Sequence, residues 1–96
     1  MKVLATLTLA PDAPLETVRA ELAAELRGCW TLYASGVLRE VYATEDPKRV
    51  IFIVETEGNE AARRVLATLP LVARGLFTIE LLELRPFVNW AMLFAH

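Results

Sequence analysis

The stretch that decides the fold is residues 49–56, RVIFIVET. Side chains alternate between the two faces of a strand, so Val50, Phe52 and Val54 share one face. Ile51 and Ile53 lie on the other face, and they are equally apolar. This enrichment in β-branched residues predicts a central strand that is buried on both sides.

In the segments around this strand, apolar residues recur either every second residue, as in a strand, or every three to four residues, as in a helix. Asp12 is the predicted N-cap of the first helix, Pro14 lies in its first turn, and Gly36 ends it. Pro70 is expected to end the second helix. The predicted strands cover 3–9, 37–43, 49–56 and 76–84, and the predicted helices cover 15–34 and the segment from Gly58 or Asn59 to Leu69.

Each helix has an apolar stripe that predicts its buried side. In the first helix, Trp30 and Tyr33 fall on the stripe and are expected in the core, and Gly28 marks a bend or a close contact. The stripe of the first helix is Leu15, Val18, Leu22, Leu26, Cys29 or Trp30, and Tyr33, and that of the second is Ala62, Val65, Leu66 and Leu69.

The order β-α-β-β-α-β predicts an α+β, ferredoxin-like domain with a four-stranded antiparallel sheet. Right-handed crossovers place both helices on one face of that sheet. Residues 1–86 form this single domain, and residues 87–96 form an aromatic C-terminal tail. The opposite face carries Ile51 and Ile53 and needs another surface to cover it. The hydrophobic content of 55% points the same way, because one small domain cannot bury so many apolar side chains. A second copy packed face to face would make a dimeric α/β barrel, and therefore a homodimer or a multiple of dimers, with room for a small hydrophobic ligand.

Charge and cysteine content exclude several classes of function. The net charge of −2 comes from interspersed residues, so neither nucleic acid nor a membrane surface is expected as a partner. No apolar run is long enough to span a membrane. Cys29 is the only cysteine, which excludes an internal disulfide and fits a reducing, cytoplasmic compartment. Without a glycine-rich phosphate loop or metal-ligand spacing, we expect no cofactor and no metal.

Three stretches resemble the muconolactone-isomerase-like proteins of the dimeric α/β-barrel group: SGVLREVY at 35–42, AARRVLATLPL at 61–71 and TIELLELRPF at 78–87. The resemblance implies cofactor-free proton transfer in a small unsaturated molecule. Such a reaction needs a general base and stabilisation of an enolate oxygen. The only histidine is His96, so carboxylates or tyrosine would have to do this work.

The second strand supplies the candidate catalytic residues. Alternation places Glu40 and Tyr42 on one face and Arg39 on the other. Glu40 would act as base, Tyr42 would position a carbonyl or carboxylate, and Arg39 would bind an anion. The alternative is an edge strand whose charges keep the sheet from aggregating and pair across a dimer.

Two further residues are candidates for ligand binding. Glu80, on the last strand, would approach Arg39 or Glu40 of the partner subunit across a barrel dimer. There it forms either a carboxylate pair with a raised pKa or a salt bridge. The second candidate is Trp90, in the C-terminal tail. The aromatic residues of the tail either cover the barrel mouth over a ligand or pack on the domain or on the partner subunit.

Three functions follow from these observations. The first is a cofactor-free isomerase-like or monooxygenase-like enzyme acting on a small hydrophobic or carboxylated molecule. The second is a non-catalytic binding protein for such a molecule. The third is a structural module whose apolar excess serves assembly alone.

Overall fold

Strands and helices follow one another in the predicted order in the computed structural model, which describes residues 1–95. The last residue of the tail, His96, lies outside them. The strands are β1 (Lys2–Leu9), β2 (Leu38–Glu45), β3 (Lys48–Glu55) and β4 (Phe77–Leu84), and the helices are α1 (Leu15–Ala34), α2 (Asn59–Leu66), α3 (Pro70–Ala73) and a 3-10 helix at Val88–Phe94.

The four strands form one antiparallel sheet in the order β2-β3-β1-β4. The apolar strand β3 is therefore internal, and β2 and β4 are the two edges. The hairpin between β2 and β3 is shorter than predicted, with only Asp46 and a cis-bonded Pro47 at its tip. This architecture confirms the ferredoxin-like α+β fold.

One face of the sheet packs against the helices and forms the core. Gly28 of α1 approaches closely: a Cβ atom there would lie 2.8 Å from Cδ2 of the buried Leu69. This contact explains a glycine in the middle of a helix, where it costs about 1 kcal/mol relative to alanine. The core comprises Val3, Ala5, Leu7, Leu38, Phe52, Val54, Ala62, Leu66 and Leu69.

Helix α1 has the predicted length, and Gly36 follows it with a φ of +86°. Its N-cap is the extended Pro14 rather than Asp12. The predicted buried stripe is wrong for most of its residues: Val18 and Cys29 are partly buried, but Trp30 is 68% exposed and Tyr33 is 50% exposed. Because α1 packs against α3 and the β2 edge, it turns a different side inward, and Glu25 is its one buried residue among those described.

The second predicted helix is two helices. Ala62, Leu66 and Leu69 are buried as expected, but α2 already ends at Leu66. Pro70 does not end a helix; it opens the short helix α3. A proline suits a first helical position because its missing N–H has no partner within the helix.

The tail extends away from the domain. Its large side chains, Phe87, Val88, Trp90, Met92, Leu93 and Phe94, are 62–75% exposed. The radius of gyration of 15.7 Å exceeds the roughly 13 Å of a compact chain of this length. None of the helices in residues 1–95 has both the length and the apolar character needed to cross a membrane.

Candidate functional site

A hollow of about 390 Å³ lies between α1 and the helix-side face of the sheet; we call it the α1 hollow. Its walls are almost entirely apolar, as is usual for sites that hold small molecules. The lining residues are Leu7, Leu22, Glu25, Leu26, Cys29, Val41, Tyr42, Ala43, Val50, Phe52, Leu71 and Phe77.

Glu25 is the one acidic side chain among the described residues that line this hollow, and it is only 7% exposed. The backbone N–H of Leu71, in the first turn of α3, donates a hydrogen bond to its Oε1 atom at 2.8 Å. Burial raises the pKa of Glu25 above its ordinary value. The Leu71 hydrogen bond lowers it in part, and the nearby Glu21 carboxylate raises it further.

Cys29 lies one helical turn after Glu25 and also lines the α1 hollow. Burial, followed by the charge of Glu25, raises the pKa of its thiol to about 11. The thiol is therefore protonated at neutral pH, where it is a weak hydrogen-bond donor rather than a nucleophile.

The predicted pair on β2 is brought together. Glu40 pairs with Ile53 and Tyr42 with Ile51, on the face away from the helices, although Tyr42, on the edge strand, also borders the α1 hollow. The Tyr42 hydroxyl donates a hydrogen bond to Oε1 of Glu40 at 2.5 Å. This bond, together with the negative charge of Glu40, raises the pKa of Tyr42. Both side chains are exposed, so they occupy an open surface of this chain.

Arg39 does not lie on the face opposite Glu40, as simple alternation predicted. The pairing with β3 shifts by one residue between Leu38 and Glu40, so that Arg39 is an extra residue in a β-bulge. A bulge interrupts the alternation of side chains. Arg39 consequently acts on Glu55, whose pKa is lowered mainly by a hydrogen bond to the N-terminal amino group and further by Arg39 and Lys2.

Glu80 shares the uncovered face with Tyr42 but lies at the other edge of the sheet. The register places Tyr42 opposite Ile51, Ile51 opposite Thr6, and Thr6 opposite Glu80. Three strand spacings separate the two edges by about 14 Å. One chain alone therefore does not bring Glu80 to the Glu40–Tyr42 pair.

Trp90 is not part of the strand cluster. It lies in the 3-10 helix of the tail, 62% exposed, with its ring edge-on to that of Phe87 at a centroid distance of 5.3 Å. Its role in ligand binding stays a prediction, as do those of Arg39 and Glu80.

Glu25 was missed because it does not belong to the apolar stripe from which the buried side of α1 was predicted. A second stripe of α1 does point inward, with the spacing of a buried helix face. Its residues are all buried or partly buried: Val18, Glu21, Glu25, Gly28, Cys29 and Leu32. The signal in the sequence is a carboxyl group flanked along one face by Gly28 and Cys29, small residues that allow close packing.

No family model and no curated protein matches this chain. Among solved structures, it resembles 5-chloro-2-hydroxyhydroquinone dehydrochlorinase from Burkholderia phenoliruptrix AC1100, solved in complex with 2,5-dihydroxybenzoquinone. The two share 19% sequence identity and a TM-score of 0.69 over 88% of this chain and 94% of the other. At this level of identity the likeness shows the fold alone.

Proposed function

We propose that this chain binds a small, uncharged, hydrophobic molecule in the α1 hollow and transfers a proton on it, with Glu25 as the acid–base group. The observation that carries the proposal is a carboxyl group that is only 7% exposed in the wall of an otherwise apolar hollow of about 390 Å³. A buried carboxyl group with a raised pKa is closer to the value that suits a general base near neutral pH.

The lining favours an uncharged ligand over a carboxylated one. Among residues 1–95, no lysine or arginine lines the α1 hollow, while Glu25 does. An anionic ligand would have to lose its hydration without gaining a positive partner, and it would face a second carboxylate. Arg39, the predicted anion-binding residue, belongs to the uncovered face of the sheet rather than to this hollow.

The proposed step moves one proton. The Glu25 carboxylate, through the Oε2 atom that the Leu71 bond does not use, takes a proton from a carbon next to a carbonyl group. The C–H electron pair passes to the carbonyl oxygen as an enolate, and the protonated Glu25 returns the proton to the same or a conjugated carbon. Isomerisation of this kind is what the resemblance to the muconolactone-isomerase-like proteins implies.

A second copy completes the proposed assembly. Pairing across the sheet puts Leu4, Ile53 and Leu82 in one row of the uncovered face, and Leu82 is 62% exposed. Such a row favours a partner sheet, and thus a homodimer built as an α/β barrel. The dehydrochlorinase neighbour supports this proposal only through its shared fold.

The test of catalysis is hydrogen–deuterium exchange at an activated carbon. A panel of uncharged aromatic ketones and unsaturated lactones is incubated with the protein in D₂O, and deuterium incorporation is followed by NMR. Glu25→Gln should reduce the exchange rate at least about 100-fold, the usual contribution of a general base, with binding retained. The matched control is Glu16→Gln, in the exposed first turn of α1, which should leave the rate unchanged.

Glu40 and Tyr42 are the second candidate for the base, because their hydrogen bond links a carboxylate to a phenol in what would be the barrel interior. Loss of exchange in Glu40→Gln with full exchange in Glu25→Gln would move the site to that face. A ligand that binds tightly and never exchanges in the wild type would instead favour a binding protein. Absence of both binding and exchange would leave a structural module.

A further inference from the structure

A second apolar hollow continues the first along the outside of the molecule. It has a volume of about 360 Å³ and lies between α1 and β2, lined by Leu26, Cys29, Trp30, Tyr33, Leu38 and Val41. Leu26, Cys29 and Val41 line both hollows, so the second hollow, which we call the α1–β2 groove, opens directly into the α1 hollow. Its rim is formed by the stripe of α1 that was predicted to be buried, including the exposed Trp30 and Tyr33.

The tail is the other unpartnered apolar surface. Residues 87–95 contain no Asp, Glu, Lys or Arg, and most of their side chains are large and exposed. The 3-10 helix of 7 residues is about 14 Å long at a rise of 2.0 Å per residue. The α1 side of the groove, from Leu26 to Tyr33, extends about 11 Å at 1.5 Å per residue, so the tail is long enough to cover it.

Chain connectivity favours the tail of the partner copy over the chain's own tail. The tail follows β4, whereas the groove borders β2, at the opposite edge of the sheet and about 14 Å away. Within one chain the large side chains of the tail are exposed, and none of residues 87–95 lines the groove. When two sheets pack face to face about a twofold axis that runs along the strands, the β4 edge of one copy meets the β2 edge of the other. This arrangement brings each tail to the other copy's groove.

We infer that the C-terminal tail of one subunit docks in the α1–β2 groove of its partner, with the Trp90 side chain against Trp30 and Tyr33. This inference rests on the dimer of the proposed function. Both surfaces are uncharged and large, so their contact removes exposed aromatic side chains on both copies from water. The docked tail covers the groove at Leu26 and Val41, where it joins the α1 hollow. Each ligand site is then closed by the other subunit.

The test is photo-crosslinking between isotopically distinct full-length copies. A ¹⁵N-labelled chain with a benzophenone amino acid in place of Trp90 is mixed with excess unlabelled wild type, and the assembly mass is recorded before irradiation. Mass spectrometry of the digest then identifies the joined peptides. The inference predicts a dimer in which the ¹⁵N tail is joined to an unlabelled peptide from α1.

The remaining outcomes overturn it. A crosslink to a ¹⁵N peptide of α1 would show that the tail folds back on its own chain. A dimer with crosslinks elsewhere or none would disprove tail docking but keep the proposed dimer, and a monomer would disprove both.

A second experiment changes the groove of the unlabelled chain. Trp30→Asp in that chain should reduce the α1 crosslink at least about fivefold, since an exposed residue can change without unfolding the chain. Ala20→Asp, also exposed on α1 but outside the groove, should leave it intact. Equal yields from both variants would contradict the inference.

Discussion

Glu25 is the side chain on which the proposed chemistry depends, because it combines burial, a raised pKa and a place in the wall of a hollow. The Leu71 N–H fixes one of its oxygens, so the carboxyl group is held in one orientation. The sequence-based candidates Glu40 and Tyr42 lie on the other face of the sheet, where they form a hydrogen-bonded pair on an exposed surface. Alternation along β2 predicted that pair correctly and failed at Arg39, because a bulge cannot be read from the spacing of side chains.

The raised pKa of Glu25 predicts how stability depends on pH. Folding raises the pKa of this carboxyl group above the value of about 4.5 that it has in the unfolded chain. Its contribution to stability is therefore fully present below pH 4.5 and is lost as the pH rises through the pKa of the folded state. Glu25→Gln keeps an acceptor for Leu71 but cannot ionise. The free energy of unfolding of the variant, relative to wild type, should therefore increase between pH 4.5 and neutrality. Urea unfolding over this range measures it, and a constant difference would contradict the raised pKa.

The thiol of Cys29 reports on the same hollow. With its pKa raised from 9.0 to about 11, it should carry roughly 100-fold less thiolate than an unperturbed cysteine at pH 8. Alkylation by iodoacetamide should be slowed at least about tenfold relative to a free thiol, because the greater nucleophilicity of a more basic thiolate offsets only part of the loss of thiolate. Bound 4-methylphenol should slow it further by covering the half-buried sulfur. Labelling as fast as that of a free thiol would show that the hollow is open.

Helix α1 shows how far a periodic pattern can predict an element. Its first and last residues and its Gly36 end were predictable, since capping and turn residues act locally. Its rotation was not, because the inward side carries Glu21 and Glu25, and only tertiary contacts with α3 and β2 turn that side toward the domain. The α1 hollow depends on that rotation, which turns Glu25 toward it and Trp30 outward. Helix α2 likewise begins where predicted, yet the separate helix α3 follows from packing of Leu69 and Leu71.

The start of α2 depends on a residue from a distant strand. The Glu83 carboxylate accepts a hydrogen bond from the Asn59 N–H at 2.9 Å, at the positive end of the helix. Glu83→Ala should reduce the free energy of unfolding by about 1 kcal/mol, the usual value of a helix cap. Glu57→Ala, exposed in the loop before α2, is the control and should change it by less than about 0.5 kcal/mol. Equal effects of the two substitutions would show that Glu83 does not act as a cap.

The molecule as a whole presents more apolar surface than one copy can cover. The uncovered sheet face, the outward stripe of α1 and the tail are exposed together, and the molecule is elongated to 62 × 30 × 20 Å. The expectation that the sheet needs a partner came from Ile51 and Ile53, and the register places both on the face away from the helices. The proposed contact between the tail and the outward stripe of α1 could not be predicted from the sequence. It depends on the strand order, which places the tail at the β4 edge of the sheet and the stripe beside the β2 edge.

Leu82→Glu tests the proposed dimer. Leu82 is 62% exposed in one chain, so the substitution should leave the fold of the subunit intact. Placed against a partner sheet, however, the new charge would be buried without a partner and should weaken association at least about tenfold. Sedimentation equilibrium of Leu82→Glu, beside the exposed Ala73→Glu on α3 as control, measures it. If both variants associate as strongly as wild type, the sheet face is not the interface.

The measurement that tests the site most directly is NMR of the methyl-labelled protein with 4-methylphenol, using 4-methylbenzoate as its charged counterpart. The account predicts nuclear Overhauser effects from the phenol ring to the methyl groups of Leu22, Val50 and Leu71, which line the α1 hollow, and none from the benzoate. Contacts to Leu4 and Ile53 on the opposite face of the sheet, or equal binding of the two probes, would contradict it.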